Sequence, residues 1–400
     1  MTEPWLHIVG IGEEGMNGLM PATRTIVEAA DVIFGGERHH SLSSQITAER
    51  VSWPSPFDDL IETLHTFKGR GVVVLVTGDP LWYSVGARIG RAIDPREIAY
   101  HPQLSAFQLA STRMGWSMAD LETLTVHGRP VEQMIPYIQP GARLIVLATG
   151  GETSKAIARL LVERGYGRSR ITALAAMGGA DECRFDGMAE SWSHAVPAFN
   201  TLAIECAASP DALLTSRVPG LDDGCFHNDG TMTKREIRAS ALAKLMPMRG
   251  ALLWDIGTGC GSVAVEWMRA EPDSRSIGIE PREDRRILAA KNATLLGTPK
   301  LELINGKAPD ALQGLEPPDA VFIGGGLSIE VFRFAWNALR PLGRLACNAV
   351  TRESERLLYD LHGKYGGKLI KISVSAAEPI GDKTGWRSSM PVTQWSMVKR

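Results

Sequence analysis

The stretch LLWDIGTGCGSVAVEWM, residues 252–268, carries the pattern that decides the fold of the second half of the chain. Its apolar run predicts a β-strand that ends at Ile256, and apolar residues at helical spacing predict a helix that starts at Ser262. Three glycines stand at alternate positions between them: Gly257, Gly259 and Gly261. Glycine permits a sharp turn and a close approach of the backbone to a ligand, and the first amides of the helix face that ligand. The stretch therefore predicts a binding loop between a strand and a helix.

The segments that follow this loop predict a nucleoside as part of the ligand. The next strand, SIGIE, ends in Glu280, 21 residues after Gly259, and a carboxylate there can accept hydrogen bonds from both ribose hydroxyls. NGKAP follows the third strand and places Gly306 to Ala308 where an adenine ring would lie. The spacing D-x-G-x-G-x-G differs from the G-x-G-x-x-G of NAD enzymes. A glycine turn without a ligand and an NAD site are the alternatives that this spacing disfavours.

Alternating strand and helix patterns run along both halves of the chain and predict an α/β fold. Four hundred residues exceed most single cores, so we expect two domains, 1–207 and 222–400, joined by an aperiodic linker at 208–221. The first half contains these helical patterns: Pro21–Ala30, Val85–Ala92, Ser105–Met114 and Thr153–Gly165. In the second half a helix with Thr233 as N-cap and Glu236 completing a capping box precedes seven strands, the last of them antiparallel.

Composition and charge exclude several classes of function. Lys and Arg total 43 and Asp and Glu total 45, so no overall basic field attracts nucleic acid, and a small-molecule substrate is favoured. No apolar run is long enough to cross a membrane and no targeting segment is recognisable, so we expect a cytoplasmic protein that binds no membrane. The five cysteines form no CxxC pair, and the His39-His40 pair lacks further ligands, so no metal site is predicted.

The glycine loop resembles motif I of the class I S-adenosylmethionine (SAM) methyltransferases, which have a Rossmann-like fold. FHNDGTMTKREIRA, LWDIGTGCGSVAVEW, VFIGGG and NAVTRESE together resemble the decarboxylating methyltransferase domain of cobalamin biosynthesis over 222–400. The resemblance implies SAM contacts at these positions: Thr233, Gly257, Thr258, Gly259, Cys260, Gly261, Glu280 and Ala308. The N/D-P-P-Y signature of amino-methylating nucleic-acid enzymes is absent. Gly324 to Gly326 replace it and leave room for a large, flat substrate at the sheet edge.

The first half resembles the tetrapyrrole methylase family, which binds SAM in a cleft between two small α/β subdomains. The motifs that carry this resemblance are VTGDPLWYSVGARI, YHPQLSAFQLASTRMG, VHGRP, LATGGETSKAIARLL and AAMGGADECRFDGMAE. The resemblance implies SAM contacts at these positions: Gly78, Asp79, Ser105, Ala106 and Ala148. The loop IVGIGEEGMNGL at 8–19 is not a dinucleotide loop, because Met16 to Met20 separate its glycines from the helix signal at Pro21. We expect its glycines to make room for substrate or cofactor.

Two such folds in one chain resemble the family of fused precorrin-6Y C5,15-methyltransferases (decarboxylating). This implies SAM-dependent methylation of C-5 and C-15 of the precorrin, with loss of carbon dioxide from the ring C acetate, giving precorrin-8 in cobalamin biosynthesis. One methylation would belong to each domain and the decarboxylation to the second. The alternatives are the cobalt-precorrin version of these steps, an RNA methyltransferase, and a SAM-binding protein without catalysis.

The chemistry requires anchors for the carboxylates of a tetrapyrrole, and the second half offers candidates. Lys234, Arg235 and Arg238 follow Thr233 and can pair with carboxylates. His227 is a candidate for proton transfer, and Asn348 is a polar residue in the NAVTRESE motif. We expect a tetrapyrrole substrate and a homo-oligomer.

Overall fold

The structure, a computed structural model, describes residues 4–400. Its internal contacts form two compact units. The first unit consists of the residues up to Val131 together with Pro140–Leu213. The second unit consists of Glu132–Gln139 and Leu214–Arg400. The break after residue 213 falls within the stretch predicted as a linker, but the sequence does not indicate that Glu132–Gln139 packs with the second unit. A Cβ on Gly297 would lie 2.5 Å from Pro136 Cδ, which shows how closely that segment is packed.

The first unit contains ten strands and six α-helices among the described residues. The strands are β1 Leu6–Ile11, β2 Val32–Phe34, β3 Glu49–Val51, β4 Val72–Thr77, β5 Ile98–His101, β6 Glu122–Thr125, β7 Arg143–Leu147, β8 Arg170–Ala175, β9 Cys183–Met188 and β10 Asn200–Glu205. The helices are α1 Pro21–Glu28, α2 Glu37–Leu42, α3 Leu60–His65, α4 Val85–Ala92, α5 Ala106–Met114 and α6 Thr153–Glu163.

These strands form two five-stranded sheets, which confirms the prediction of two small α/β subdomains. The first sheet is parallel throughout, in the order β3-β2-β4-β1-β5. Its central strands are apolar on both faces because helices cover both: Ile8 and Val74 belong to one core cluster, and Val9 and Leu75 to another. The second sheet is mixed, in the order β6-β7-β10-β8-β9, with only β6 and β7 parallel.

The second unit contains nine strands and five α-helices among the described residues. The strands are β11 Leu252–Ile256, β12 Arg275–Ile279, β13 Glu302–Ile304, β14 Ala320–Ile323, β15 Arg344–Ala349, β16 Lys368–Ile372, β17 Ser375–Ile380, β18 Lys383–Ser388 and β19 Val392–Val398. The helices are α7 Arg235–Leu245, α8 Ser262–Ala270, α9 Glu283–Leu295, α10 Ile329–Ala338 and α11 Arg352–Tyr365.

Seven of these strands form one sheet in the order β13-β12-β11-β14-β15-β19-β16. The strand β19 is antiparallel to both of its neighbours, as predicted, and the other pairs are parallel. Trp254, Trp267 and Trp395 are fully buried against the sheet. The strand order reverses between β11 and β14, and parallel sheets bind ligands at the carboxyl ends of the strands beside such a reversal. The hairpin β17–β18, which the sequence did not predict, stands apart from this sheet.

In residues 4–400 no helix is both long and apolar enough to cross a membrane. Within the same residues, no group of three or more His, Cys, Asp or Glu side chains is arranged to hold a metal ion.

Candidate active site

The loop after β11 has the backbone that its three glycines predict. Gly257, Gly259 and Gly261 have φ values of +71°, +57° and +80°, in the left-handed region where other residues are strained. A Cβ on Gly257 would lie 2.8 Å from the Gly325 backbone, and one on Gly261 would lie 3.0 Å from Ala289 Cβ. A Cβ on Gly259 would meet nothing closer than 3.9 Å. The outer two glycines therefore allow close packing, and the middle one faces open space.

That open space is a cavity of about 1030 Å³ along the carboxyl ends of the strands. Most of the residues predicted to contact SAM in this half line it: Thr233, Gly257, Thr258, Gly259, Cys260, Glu280 and Ala308. Gly261 does not line it and acts instead by letting α8 pack on α9. Gly324 to Gly326 line the cavity beside Gly257. The end farther from Glu280 is lined by Asn348 and by these apolar residues: Val350, Ile372, Val374, Met390 and Val392.

Glu280 directly follows β12 and holds the glycine loop in place. Its side chain is buried, and its Oε2 accepts a hydrogen bond from the Gly259 backbone N–H at 3.1 Å. Its Oε1 accepts from the Arg282 N–H at 3.1 Å. Each carboxylate oxygen has a further lone pair, so Glu280 can also accept from the hydroxyls of a ribose at the cavity wall.

Asp255 is the acidic residue of the D-x-G-x-G-x-G motif and lines the cavity, although it was not among the predicted SAM contacts. Its Oδ2 accepts from Thr258 Oγ1 at 2.6 Å and from the Ala264 N–H at 3.1 Å. Its Oδ1 is buried at the cavity wall without a hydrogen-bond partner among residues 4–400. Burial raises the pKa of the Asp255 carboxyl to about 6. A buried acceptor with a vacant lone pair fits a cationic or hydrogen-bond-donating ligand such as SAM.

A second group of polar residues fixes the loop that closes the cavity near Thr231. Asp229 Oδ1 accepts from Thr231 Oγ1 at 2.5 Å, and Asp229 Oδ2 accepts from Arg285 Nε at 2.9 Å. These bonds, led by that from Thr231, hold the pKa of Asp229 well below its usual range. Arg285, which was not among the predicted residues, also lines the cavity, and so does Lys307, within the predicted stretch Gly306 to Ala308.

In the first unit the ends of β1 and β4 meet the start of α5. A Cβ on Gly10 would lie 1.9 Å from the Gly78 carbonyl oxygen, and one on Gly78 would lie 2.8 Å from Ser105 Cα. Asp79 Oδ1 accepts from the Leu81 N–H at 2.7 Å and so fixes the turn. The structure thus brings Gly78, Asp79 and Ser105 together, as the resemblance implies.

The predicted start of α5 is confirmed. Ser105 is its N-cap, with a reciprocal capping box to Gln108, and Ala106 is the first helical residue. Ala148 lies in the loop after β7, where its carbonyl oxygen is 3.3 Å from His127 Nδ1. This contact with His127 stabilises the loop.

The prediction for the loop at 8–19 needs correction. Gly10 is in contact with the Gly78 backbone, and Gly15 has φ +59° with the Leu42 carbonyl oxygen 2.8 Å from its Cβ position. These two glycines make room for neighbouring backbone and not for a ligand. Glu13, in the same loop, accepts a hydrogen bond from Arg38 Nε at 2.6 Å.

Each half of the chain matches a known protein family. Residues 224–399 match the family described as "Precorrin methyltransferase domain", and residues 5–191 match "Tetrapyrrole (Corrin/Porphyrin) Methylases". The precorrin-6Y C(5,15)-methyltransferase (decarboxylating) of Sinorhizobium sp is 43% identical over 402 residues, with 100% of this chain and 97% of that protein covered. The chain belongs to the precorrin-6Y C5,15-methyltransferase (decarboxylating) family.

Other members of the precorrin-6Y C5,15-methyltransferase family are also similar. The protein of that name from Mycobacterium tuberculosis is 36% identical over 399 residues, which cover 98% of this chain and 99% of that protein. A crystal structure of the C-terminal domain of the Rhodobacter capsulatus protein is 47% identical and covers 46% of this chain and 100% of that one, with a TM-score of 0.44.

Two residues proposed from the chemistry of the reaction, Arg238 as a carboxylate anchor and His227 for proton transfer, do not line the cavity of this precorrin-6Y methyltransferase family member. Arg238 is fully buried: its Nε donates to Glu266 Oε1 at 2.7 Å and its Nη1 to Asp223 Oδ1 at 3.1 Å. It cannot reach a ligand, so its predicted role as a carboxylate anchor is wrong. His227 is exposed and does not line the cavity, and its backbone is held by the side chain of Asn292.

Lys234 and Asn348 do line the cavity of this precorrin-6Y methyltransferase family member. The helix α7 starts at Arg235, with Lys234 at the N-cap and no side-chain cap, so the predicted capping by Thr233 and Glu236 is wrong. The physical reason is that residues Gly230 to Lys234 follow the cavity wall in an extended or turning path before the helix begins.

Proposed function

We propose that the chain is a SAM-dependent enzyme that methylates precorrin-6Y at C-5 and C-15 and decarboxylates the ring C acetate, giving precorrin-8. The observation that carries this proposal is the cavity that extends from Glu280 past the glycine loop to Asn348. Its volume of about 1030 Å³ is at the upper end of the range of about 300–1,000 Å³ for ligand sites, which suits two ligands side by side.

The residues divide this cavity into two ends of different chemistry. Asp255 and Glu280 supply acceptors beside the glycine loop and suit the ribose and the cationic groups of SAM. Val374, Met390 and Val392 supply an apolar wall at the other end, which suits the face of a macrocycle. When bound, SAM supplies an electrophilic methyl group on a sulfonium leaving group.

The residues of the cavity then align the methyl acceptor with SAM and exclude water. A meso carbon of a reduced tetrapyrrole is enamine-like and nucleophilic, so a methyl acceptor held against the glycine loop needs no further activation by a side chain. Loss of carbon dioxide leaves an electron pair that the conjugated imines of the substrate can accept. Desolvating the acetate in an apolar cavity lowers the barrier to this step.

Full-length relatives favour the substrate without cobalt. The relatives from Sinorhizobium sp and Mycobacterium tuberculosis that cover 98–100% of this chain carry the name precorrin-6Y C(5,15)-methyltransferase. The cobalt-precorrin-7 C(5)-methyltransferase of Salmonella typhimurium covers 40% of this chain, and a probable cobalt-precorrin-6B C(15)-methyltransferase of Saccharolobus solfataricus covers 34%. The separate names for C-5 and C-15 support one methylation in each unit.

Incubation of the full chain with SAM and precorrin-6Y, followed by mass spectrometry, tests the proposal. We expect two methyl additions and the loss of one carbon dioxide. Conversion of the cobalt-containing ring alone would favour the cobalt version, and methyl transfer to RNA alone would replace the proposal. Light scattering and cell fractionation test the further expectations of a homo-oligomer and a cytoplasmic location.

A further inference from the structure

The amide of Asn348, at the substrate end of the cavity, is held from behind by a buried glutamine. Asn348 on β15 and Gln394 on β19 are directly paired in the antiparallel ladder, so their side chains lie on the same face of the sheet. Gln394 Nε2 donates to Asn348 Oδ1 at 2.8 Å. The Gln394 side chain is fully buried, so its orientation is set by protein groups alone.

The other end of Gln394 contacts two donors on α7. Its Oε1 accepts from Ser240 Oγ at 2.9 Å and from Lys244 Nζ. A lysine ammonium has three donors and no acceptor, so the oxygen of Gln394 must face Lys244. The nitrogen of Gln394 must then face Asn348, and the hydrogen bonds have one direction along the whole series. Lys244 therefore determines the orientation of both amides.

With the Asn348 oxygen facing Gln394, only the Nδ2 group of Asn348 is available to a ligand in the cavity. Its oxygen is occupied by Gln394, and its Nδ2 makes no hydrogen bond to any residue in the described part of the chain. Lys234, a second donor, and the carboxylate Glu236 also line the cavity, and Lys234 Nζ lies 3.7 Å from Asp223 Oδ2. The Asn348 amide thus presents a donor to the cavity, which matches an oxygen acceptor with negative charge.

We propose that Lys244 and Gln394 are positioning residues that fix the Asn348 amide with Nδ2 toward the cavity, where it binds a carboxylate oxygen of the substrate. This inference rests on the proposed function, because it takes the ligand at that end to be a precorrin with acidic side chains. Asn348 is the residue that touches the substrate, and the other two act through it.

The variant Gln394→Glu tests the orientation without changing size or shape. Its carboxylate accepts from Lys244 but has no donor for Asn348, so the Asn348 amide must turn and present its oxygen to the cavity. We expect the KM for precorrin-6Y to rise on the order of tenfold to a hundredfold, the effect of losing a hydrogen bond to a charged group. Because the glycine loop is untouched, the KM for SAM should change by less than about threefold.

The variant Gln394→Met separates orientation from a merely structural role. It removes every side-chain hydrogen bond of Gln394, leaves Lys244 with Ser240, and lets Asn348 adopt either orientation. If Gln394 only stabilised the fold, Met would damage the enzyme more than Glu, which keeps a partner for Lys244. If Gln394 orients Asn348, Glu raises the KM for precorrin-6Y more than Met does.

Asn348→Asp presents an oxygen to the cavity by a second route and should raise the KM for precorrin-6Y as Gln394→Glu does. Gln313→Glu, an exposed substitution of the same chemistry, is the matched control and should leave KM unchanged. A normal KM in Gln394→Glu, or a larger effect in Gln394→Met, would overturn the inference. A wild-type chain that leaves the ring mass unchanged would instead contradict the proposed function.

Discussion

Gly10 and Gly78 in the first unit, and Gly259 in the second, are all glycines at strand ends, yet they act in opposite ways. In the first unit the two glycines allow backbone to press on backbone, with a Cβ on Gly10 only 1.9 Å from the Gly78 carbonyl oxygen. In the second unit Gly259 has open space where its side chain would be. A glycine motif therefore shows that something approaches closely, but only the fold shows whether it is backbone or ligand.

The two regions also differ in how they are held together. The first relies on direct packing of β1, β4 and the start of α5. The second keeps its loop open and fixes it through side chains, because Glu280 and Asp255 bond to the loop and α8. Substitutions should therefore affect folding in the first region and ligand binding in the second.

Gly10→Ala should produce the largest effect on stability. The added methyl group overlaps the Gly78 carbonyl, which cannot move without shifting β4, so we expect a loss of about 5 kcal/mol or more in the free energy of unfolding. Urea denaturation of the full chain measures it. Gly150→Ala, with nothing within 4 Å of its Cβ position, should change stability by less than about 0.5 kcal/mol. Similar values for both variants would show that the contact at Gly10 relaxes freely.

Arg238→Met should cost the second unit about 3 kcal/mol, because it removes the buried partner of Glu266 on α8. The Gly220 and Leu221 amides still donate to Glu266, which limits the loss. Thermal unfolding measures the effect, and Lys234→Met, at an exposed neighbour, is the control with little expected change. If the Arg238 variant unfolded like wild type but lost activity, its assignment as a substrate anchor would be restored.

Gly259→Val should remove SAM binding at the second unit while the chain stays folded. The side chain fills the cavity, so we expect at least a hundredfold loss of affinity, about 2.7 kcal/mol. The left-handed backbone adds a strain of about 1–2 kcal/mol. In calorimetric titration, the number of SAM sites should fall from two in wild type to one.

Gly314→Ala carries a similar backbone strain, with φ +75° and nothing near its Cβ position, but lies outside the cavity lining. It should keep both SAM sites. Retention of two sites in Gly259→Val would contradict the placement of SAM beside this glycine.

The sequence predicted most of the fold because its regular elements have apolar periodicity. The helix Val85–Ala92 and all seven strands of the seven-stranded sheet in the second unit follow from it. The strands it missed are short or have little buried apolar surface: β3 and β6 have three and four residues, β9 has no fully buried residue and contains Gly187, and β17–β18 is mostly exposed and contains Pro379.

The site was harder to predict because it depends on which side of each element is buried. Arg238 stands with Lys234 and Arg235 in the sequence, which suggested a basic face. Its spacing to Ala241, Leu242 and Leu245 instead puts it on the buried face of α7, and this periodicity was the signal available. The contact between Asn348 and Gln394 depends on the register of β15 and β19, which the sequence does not encode locally.

Asp255→Asn should give the smallest effect, one that depends on pH. The pKa of Asp255 is raised to about 6 by burial, above the unfolded value of 3.8. Between these values the folded state binds more protons than the unfolded state, so the contribution to stability is full below pH 3.8 and is lost as the pH rises through about 6. Asparagine has no such titration and can still accept from Thr258 and Ala264. Relative to wild type, the variant should gain on the order of 1–2 kcal/mol between pH 4 and pH 7.5 in urea denaturation. A constant difference across that range would mean that Asp255 is ionised throughout, and that the open second site tolerates a buried charge beside its glycine loop.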